Sequence, residues 1–191
     1  PLTTQRSLTG YQTLALIFGG TFSSRLVQQL RVNRGISYGA HCWTTAFRKH
    51  LLVNAHADVD TEHVLDATIE IHKLWDVFLE DGPTDEELSF AKDHQLNSLP
   101  FGLETASMEM AQRVRAHLMG RAFLSMQEKV SLIESLSKHS LLDERQSLMG
   151  KIKDATVIVG TVEKSIVSKL QAHFPETAIE MYHWDDLDWL T

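Results

Sequence analysis

The sequence predicts an α+β domain: a mixed, largely antiparallel sheet covered on one face by helices. Three observations predict it. Apolar residues alternate at every second position through residues 36–59, the pattern of two half-buried strands. From Asp60 to Leu136 they recur at every third or fourth position, as amphipathic helices require. The compact β-branched run Ala155–Val159, a glycine, a helical stretch and the extended run Thr177–Tyr182 then form a small β-α-β unit. That unit is expected to return the chain to the same sheet.

The elements follow in order. Tyr11 to Phe18 is a short apolar helix, stopped at Gly19 and Gly20, two residues that permit a tight turn and close backbone approach. Thr21 to Ser24 can cap a second helix, which carries Leu26, Val27, Leu30 and Arg31 and ends at Gly35. In the first strand, Ile36–Phe47, alternation puts Ile36, Tyr38, Ala40, Cys42 and Thr44 on one face, with Trp43 and Phe47 on the other. After a turn around Arg48 and Lys49, Leu51–Val59 pairs with it antiparallel, with Leu52, Asn54, His56 and Asp58 on the wet face. Asp60 and Thr61 cap a helix to about Glu80 whose inner face is Val64, Thr68, Ile71, Trp75 and Phe78, and Gly82 stops it. Thr84 and Glu87 form a capping box for the next helix, with Pro83 and Leu88 as its staple, and that helix ends before Pro100. A helix over about 103–119 should bury Leu103, Ala106, Met110, Val114 and His117 or Leu118, with Met108, Met110 and Met119 as adaptable core packing. Further helices are expected over Phe123–Leu136 and Leu142–Met149, and from Thr161 through Leu170 and Phe174.

Composition narrows the function. The 191 residues are 43% hydrophobic and 23% charged, ordinary for one sizeable globular core. Eighteen basic against twenty-five acidic residues give a net charge of −7, and no basic run tracks phosphates. A nucleic-acid module is therefore not expected. Cys42 is the only cysteine, which excludes an internal disulfide or a cysteine-based zinc knuckle. No apolar run reaches the ~20 residues of a membrane span. The chain opens on proline, and reads as a processed product or a piece of something longer.

Ten histidines include no H-E-x-x-H, H-x-x-E-H or H-x-x-x-H. His41 and His56 can face each other across the strands, with Asp58 as the sole nearby third ligand; ordinary cross-strand or solvated histidines are the simpler reading. No G-x-S-x-G is present, and Cys42 reads as a buried structural thiol. Gly19–Gly20 lacks a P-loop lysine, and Val159–Gly160–Thr161 is no dinucleotide cradle. There remain Arg31, in the last turn of a helix, and Tyr38, in the strand leaving the Gly35 turn, which the fold must hold near each other. A guanidinium offers a rigid fork to a carbonyl or carboxylate, and a phenol can donate to an oxyanion formed in acyl transfer. From spacing alone the simpler reading leads: Arg31 as a helix C-terminal charge and Tyr38 as a sheet aromatic.

The stretch Gly19–Tyr38, GGTFSSRLVQQLRVNRGISY, resembles the C-terminal domain of the M16 metallopeptidases, the pitrilysin, insulin-degrading enzyme and mitochondrial processing peptidase family. Gly19, Gly20, Ser23, Ser24, Arg25 and Leu26 match its helix start, followed by Arg31 and, seven residues on, Tyr38. The likeness continues through Asp60–Glu80, the GPTDEEL of Gly82–Leu88, and Asp154–Leu170, and so covers nearly the whole chain. It implies that residues 1–191 form a single domain, most of such a C-terminal domain with its opening strands missing. It implies that Arg31 and Tyr38 contact the substrate carbonyl and the tetrahedral intermediate.

By the same resemblance this chain holds no cofactor, and zinc belongs to an N-terminal domain or a partner subunit that closes around an extended peptide. The implied partners are a peptide substrate, that zinc-bearing unit and a homo-oligomer mate at the exposed sheet edge. The compartment is periplasmic for a bacterial chain and mitochondrial for a eukaryotic one. Two functions follow: the substrate-binding half of a zinc endopeptidase, inactive in isolation, or a non-catalytic scaffold subunit of a complex. Retention of both Arg31 and Tyr38 favours the first.

Overall fold

The computed structural model describes residues 5–48, 50–149 and 155–181. Helix α1 (Gln5–Ala15) widens into a π-helical turn over Leu16–Gly20. It starts ahead of the expected Tyr11, because its first turns are polar and give no apolar period to read. α2 (Arg25–Val27) likewise widens into a π-helical segment, Gln28–Asn33. β1 (Ser37–Ala46) and β2 (Leu51–Val59) form an antiparallel hairpin, closed by the Phe47 N–H donating to the His50 carbonyl at 2.8 Å. A 3₁₀ turn at Thr61–His63 leads into α3 (Val64–Asp81), which ends at Gly82. Then come α4 (Asp85–Ser98), α5 (Ala106–Leu118), α6 (Met126–Glu134), α7 (Lys138–Met149) and α8 (Lys164–His173).

The helices cover one face of the hairpin. Ala40 and Cys42 on β1 pack against α1 and its π-turn, in a core that includes Phe18, Leu26, Leu30 and Phe78. Trp75 meets Phe18 edge-on at 4.9 Å between ring centres, and Phe78 lies 5.4 Å from the same ring. Gly19 is required there. A Cβ at that position would sit 2.6 Å from the Cys42 Cβ and 2.7 Å from the Cys42 backbone nitrogen. The opposite face carries His41, Trp43, Leu52 and His56, all exposed. The expected α+β layering is therefore present; along β2 the alternation holds at Leu51, Leu52, Val53, His56, Ala57, Asp58 and Val59, while Asn54 is half-buried and Ala55 exposed.

Three expectations are corrected. Ala155–Val159 is not a strand: among the described residues the sheet has two strands, and Val157 and Val159 are 82% and 89% exposed. Residues 178–181 are not a strand either, and Tyr182 lies outside the described residues. β-propensity marks what suits a pleated surface but supplies no ladder partner. The helix between them does form, and the segments on either side of it reach α3: Thr156 Oγ1 lies 2.9 Å from His72 Nε2, and the Phe174 ring contacts the His72 ring.

The second correction is α5, which turns its expected inner face outward. Ala106 is exposed, Met110, Val114 and Leu118 are 63%, 48% and 66% exposed, and Met108 is no core residue. Third, Tyr38 does not share the buried face of Ala40 and Cys42. A β-bulge between Ser37 and Gly39 inserts one residue into β1, which resets the alternation and leaves Tyr38 72% exposed.

Candidate functional site

Arg31 stands on the π-helical segment after α2, and Tyr38 on the bulge that opens β1. The chain between them is closed by the Arg34 N–H to the Gln29 carbonyl (3.1 Å) and the Ile36 N–H to the Leu30 carbonyl (3.0 Å), with Gly35 at φ +62° making the turn. The turn is tied down from outside. The Arg34 guanidinium donates to Glu70 at 2.9 Å and to Asp66 at 3.4 Å on α3, and Gln29 Nε2 donates to Glu70 at 2.8 Å. Ser37, nearly buried, points its hydroxyl at the Gly39 and Asp58 carbonyls, 2.7 and 3.0 Å away. One side chain thus serves the carbonyls the bulge would otherwise leave unpaired. The bulge is a held feature, and it aims Tyr38 outward.

Both residues are exposed, on segments adjacent along the chain, and no hydrogen bond joins them. The Arg31 guanidinium lies 5.8 Å from the centre of the exposed Phe22 ring, within cation–π range. The Tyr38 hydroxyl donates to Asp60 Oδ2 at 3.1 Å, and that hydrogen bond, with the negative charge behind it, pushes the phenol above its usual range. Phe22 and Asp60 were not legible as site residues. Asp60 precedes a helix and reads as its cap, yet its side chain makes no capping bond.

Below this end of the sheet the GG-x-x-SSRL and GPTDEEL segments meet. Arg25 grips Glu87 with Nε to Oε1 at 2.7 Å and Nη2 to Oε2 at 2.8 Å, and donates to the Gly82 carbonyl at 3.0 Å. Glu87 also accepts from the Thr84 N–H at 2.7 Å, closing the expected capping box. Burial raises the Glu87 carboxyl, but the Arg25 and Thr84 hydrogen bonds outweigh it and hold the group below the usual range. The same bond raises the Arg25 guanidinium.

The residues here do not fit a metal. His41 and His56 are cross-strand partners with ring centres 5.4 Å apart, and His56 Nε2 lies 3.5 Å from Asp58 Oδ1. Yet among the described residues no three histidine, cysteine or carboxylate groups are placed to hold an ion. Cys42 is buried, and burial pushes its thiol up to about 12, so it is no nucleophile at neutral pH. No helix of the described residues is long and apolar enough to cross a membrane.

A family model described as "Peptidase M16 inactive domain" matches residues 2–94. A Streptomyces coelicolor protein named "Uncharacterized zinc protease SCO5738" is 24% identical over 152 residues, 80% of this chain and 33% of its own length. A Helicobacter pylori protein named "Non-peptidase homolog YmxG" is 23% identical over 137 residues, 72% of this chain and 31% of its own length. The crystal structure of a peptidase M16 inactive domain from Pseudomonas fluorescens matches with a TM-score of 0.66 at 16% identity, over 77% of this chain and 34% of that one. The chain thus spans about a third of the length of these relatives.

Proposed function

Because a family model of the peptidase M16 inactive domain matches residues 2–94, we propose that the chain belongs to that family and is the substrate-contacting half of a zinc-dependent endopeptidase, with Arg31 and Tyr38 as the residues that face the peptide. The observation that carries this reading is the bulge at Tyr38. A tyrosine in register would be buried beside Ala40; this one is exposed at the opening end of β1, and Arg31 is exposed on the segment that precedes that strand. In an extended peptide lying along that end, the Arg31 guanidinium donates to a backbone carbonyl. The Tyr38 hydroxyl donates to the carbonyl oxygen that gains negative charge as the carbon becomes tetrahedral. It must leave Asp60 to do so, exchanging one solvent-exposed carboxylate acceptor for the developing oxyanion. In this reading zinc and the attacking water come from an upstream domain or partner subunit, as the resemblance to the family implies.

A second reading is a non-catalytic scaffold subunit. It is favoured by the engagement of the Tyr38 hydroxyl with Asp60, and by the relative named a non-peptidase homolog. The 191-residue chain alone should leave an unfolded peptide intact. Combined with its zinc-bearing upstream domain or partner, it should support internal cleavage, and Arg31→Ala should raise KM and lower kcat in that assembly. An assembly that forms without cleaving any peptide would favour the scaffold.

A further inference from the structure

Between α1, α4, α5 and α6, bounded by the end of β1, lies a cavity of about 610 Å³, within the roughly 300–1,000 Å³ usual for small-molecule sites. Its lining comes from one stripe of each helix. On α5 the stripe is Gln112, Arg115, Ala116 and Met119, spaced three, four and seven apart, so a single face looks into the space. This is the face that α5 turns inward in place of its apolar one.

The charge of that lining opposes the charge of the chain. Arg115, Arg121 and Lys129 contribute to it and no aspartate or glutamate does, although acidic residues outnumber basic ones overall. Lys129 has neutral company: its Nζ donates to Gln112 Oε1 at 2.7 Å and lies 5.3 Å from the Phe123 ring centre. Gln112 is held in turn by donating to the Gly102 carbonyl at 2.6 Å. The ammonium is therefore fixed in place with no carboxylate against it among the described residues, and burial pulls it below the usual lysine range. Leu8, Leu124, Leu132 and Ile133 supply apolar wall beside these cations. A half-buried cation with neutral hydrogen-bond partners gains most from an anion that brings its own apolar surface.

We propose that this cavity binds a small single-chain amphiphile with a monoanionic head, a carboxylate being the simplest. The head pairs with Lys129 and Arg115, and the alkyl chain lies against Leu8, Leu124 and Leu132.

The test is a titration of the ¹⁵N-labelled 191-residue chain with octanoate, 1-octanol and octylammonium, followed by backbone amide shifts. Octanoate should give saturable shifts at Leu8, Gly102 and Leu132 and bind at least about tenfold more tightly than the other two. Lys129→Met should weaken octanoate by about 10–100-fold, the worth of one charge-assisted hydrogen bond, and leave octanol unchanged. A melting curve confirms that the variant is folded; Arg115→Gln, at an exposed position, makes the same comparison if it is not. Equal binding of octanol, no saturable shifts, or shifts confined to exposed apolar residues such as Met110 and Leu118 would overturn the proposal.

Discussion

Glu87→Ala should destabilise the chain by about 2–4 kcal/mol. The carboxylate receives two charge-assisted hydrogen bonds from Arg25, at 2.7 and 2.8 Å, between side chains only 22% and 28% exposed. Such bonds are worth about 1.5–3 kcal/mol each when removed, and because they share one pair of groups they do not add in full. The capping bond from the Thr84 N–H adds about 0.5–1 kcal/mol. At about 2–4 °C per kcal/mol for a chain of this length, the melting temperature should fall by roughly 5–15 °C. pH provides the internal control. The folded carboxyl titrates below its unfolded value, so its stabilisation is complete above the ordinary glutamate range and is lost as pH falls through the depressed folded value. Urea unfolding should show the gap between wild type and Glu87→Ala at pH 7 and its narrowing in acid, with unchanged m-values. A loss below about 0.5 kcal/mol at pH 7, or a gap constant down to acid pH, would refute the reasoning.

Three further outcomes follow from other contacts. Gly19→Ala should cost about 1–3 kcal/mol or more, because its methyl meets the Cys42 backbone nitrogen at 2.7 Å and that strand cannot yield as a side chain would; a thermal melt reads this. Cys42 should resist a thiol reagent at pH 8 in the native chain and react fully in urea, since its thiol is buried and pushed up to about 12. Asp60→Asn should lower the Tyr38 phenol toward its ordinary range, because the raising hydrogen bond and charge both come from that carboxylate. Phenolate absorbance, with Tyr38→Phe as the blank, reads the change.

Legibility in the sequence tracks how local each cause is. The Thr84–Glu87 capping box, the stop at Gly82 and the antiparallel pairing of the hairpin strands depend on a few neighbouring residues, and all are present as read. The inner face of α3 holds too, with Thr68 and Phe78 buried and Ile71 and Trp75 packed on the core. Tyr38 was misplaced because alternation assumes an unbroken pleat, and one inserted residue at the bulge inverts it. The α5 face was misassigned because two stripes compete on that helix. Periodicity selects Met110, Val114 and Leu118, whereas the neighbouring helices receive Gln112, Arg115 and Met119. Residues 155–159 have the composition of a strand and, among the described residues, no strand to pair with. At the site, Arg31 and Tyr38 were found by resemblance. Asp60 and Phe22 could not be, because their roles arise across the fold rather than along the chain.

The central claim concerns the Tyr38 hydroxyl, and Tyr38→Phe isolates it by removing one oxygen from an exposed ring. The decisive measurement is kcat per folded molecule for wild type and Tyr38→Phe, each assembled with the zinc-bearing domain or partner, beside a melting curve of each chain. The account predicts a fall in kcat of about 10²–10³-fold, the usual cost of one oxyanion donor, with little change in melting temperature. Unchanged turnover in correctly folded Tyr38→Phe would contradict it, remove this tyrosine from the mechanism and leave the scaffold reading in its place.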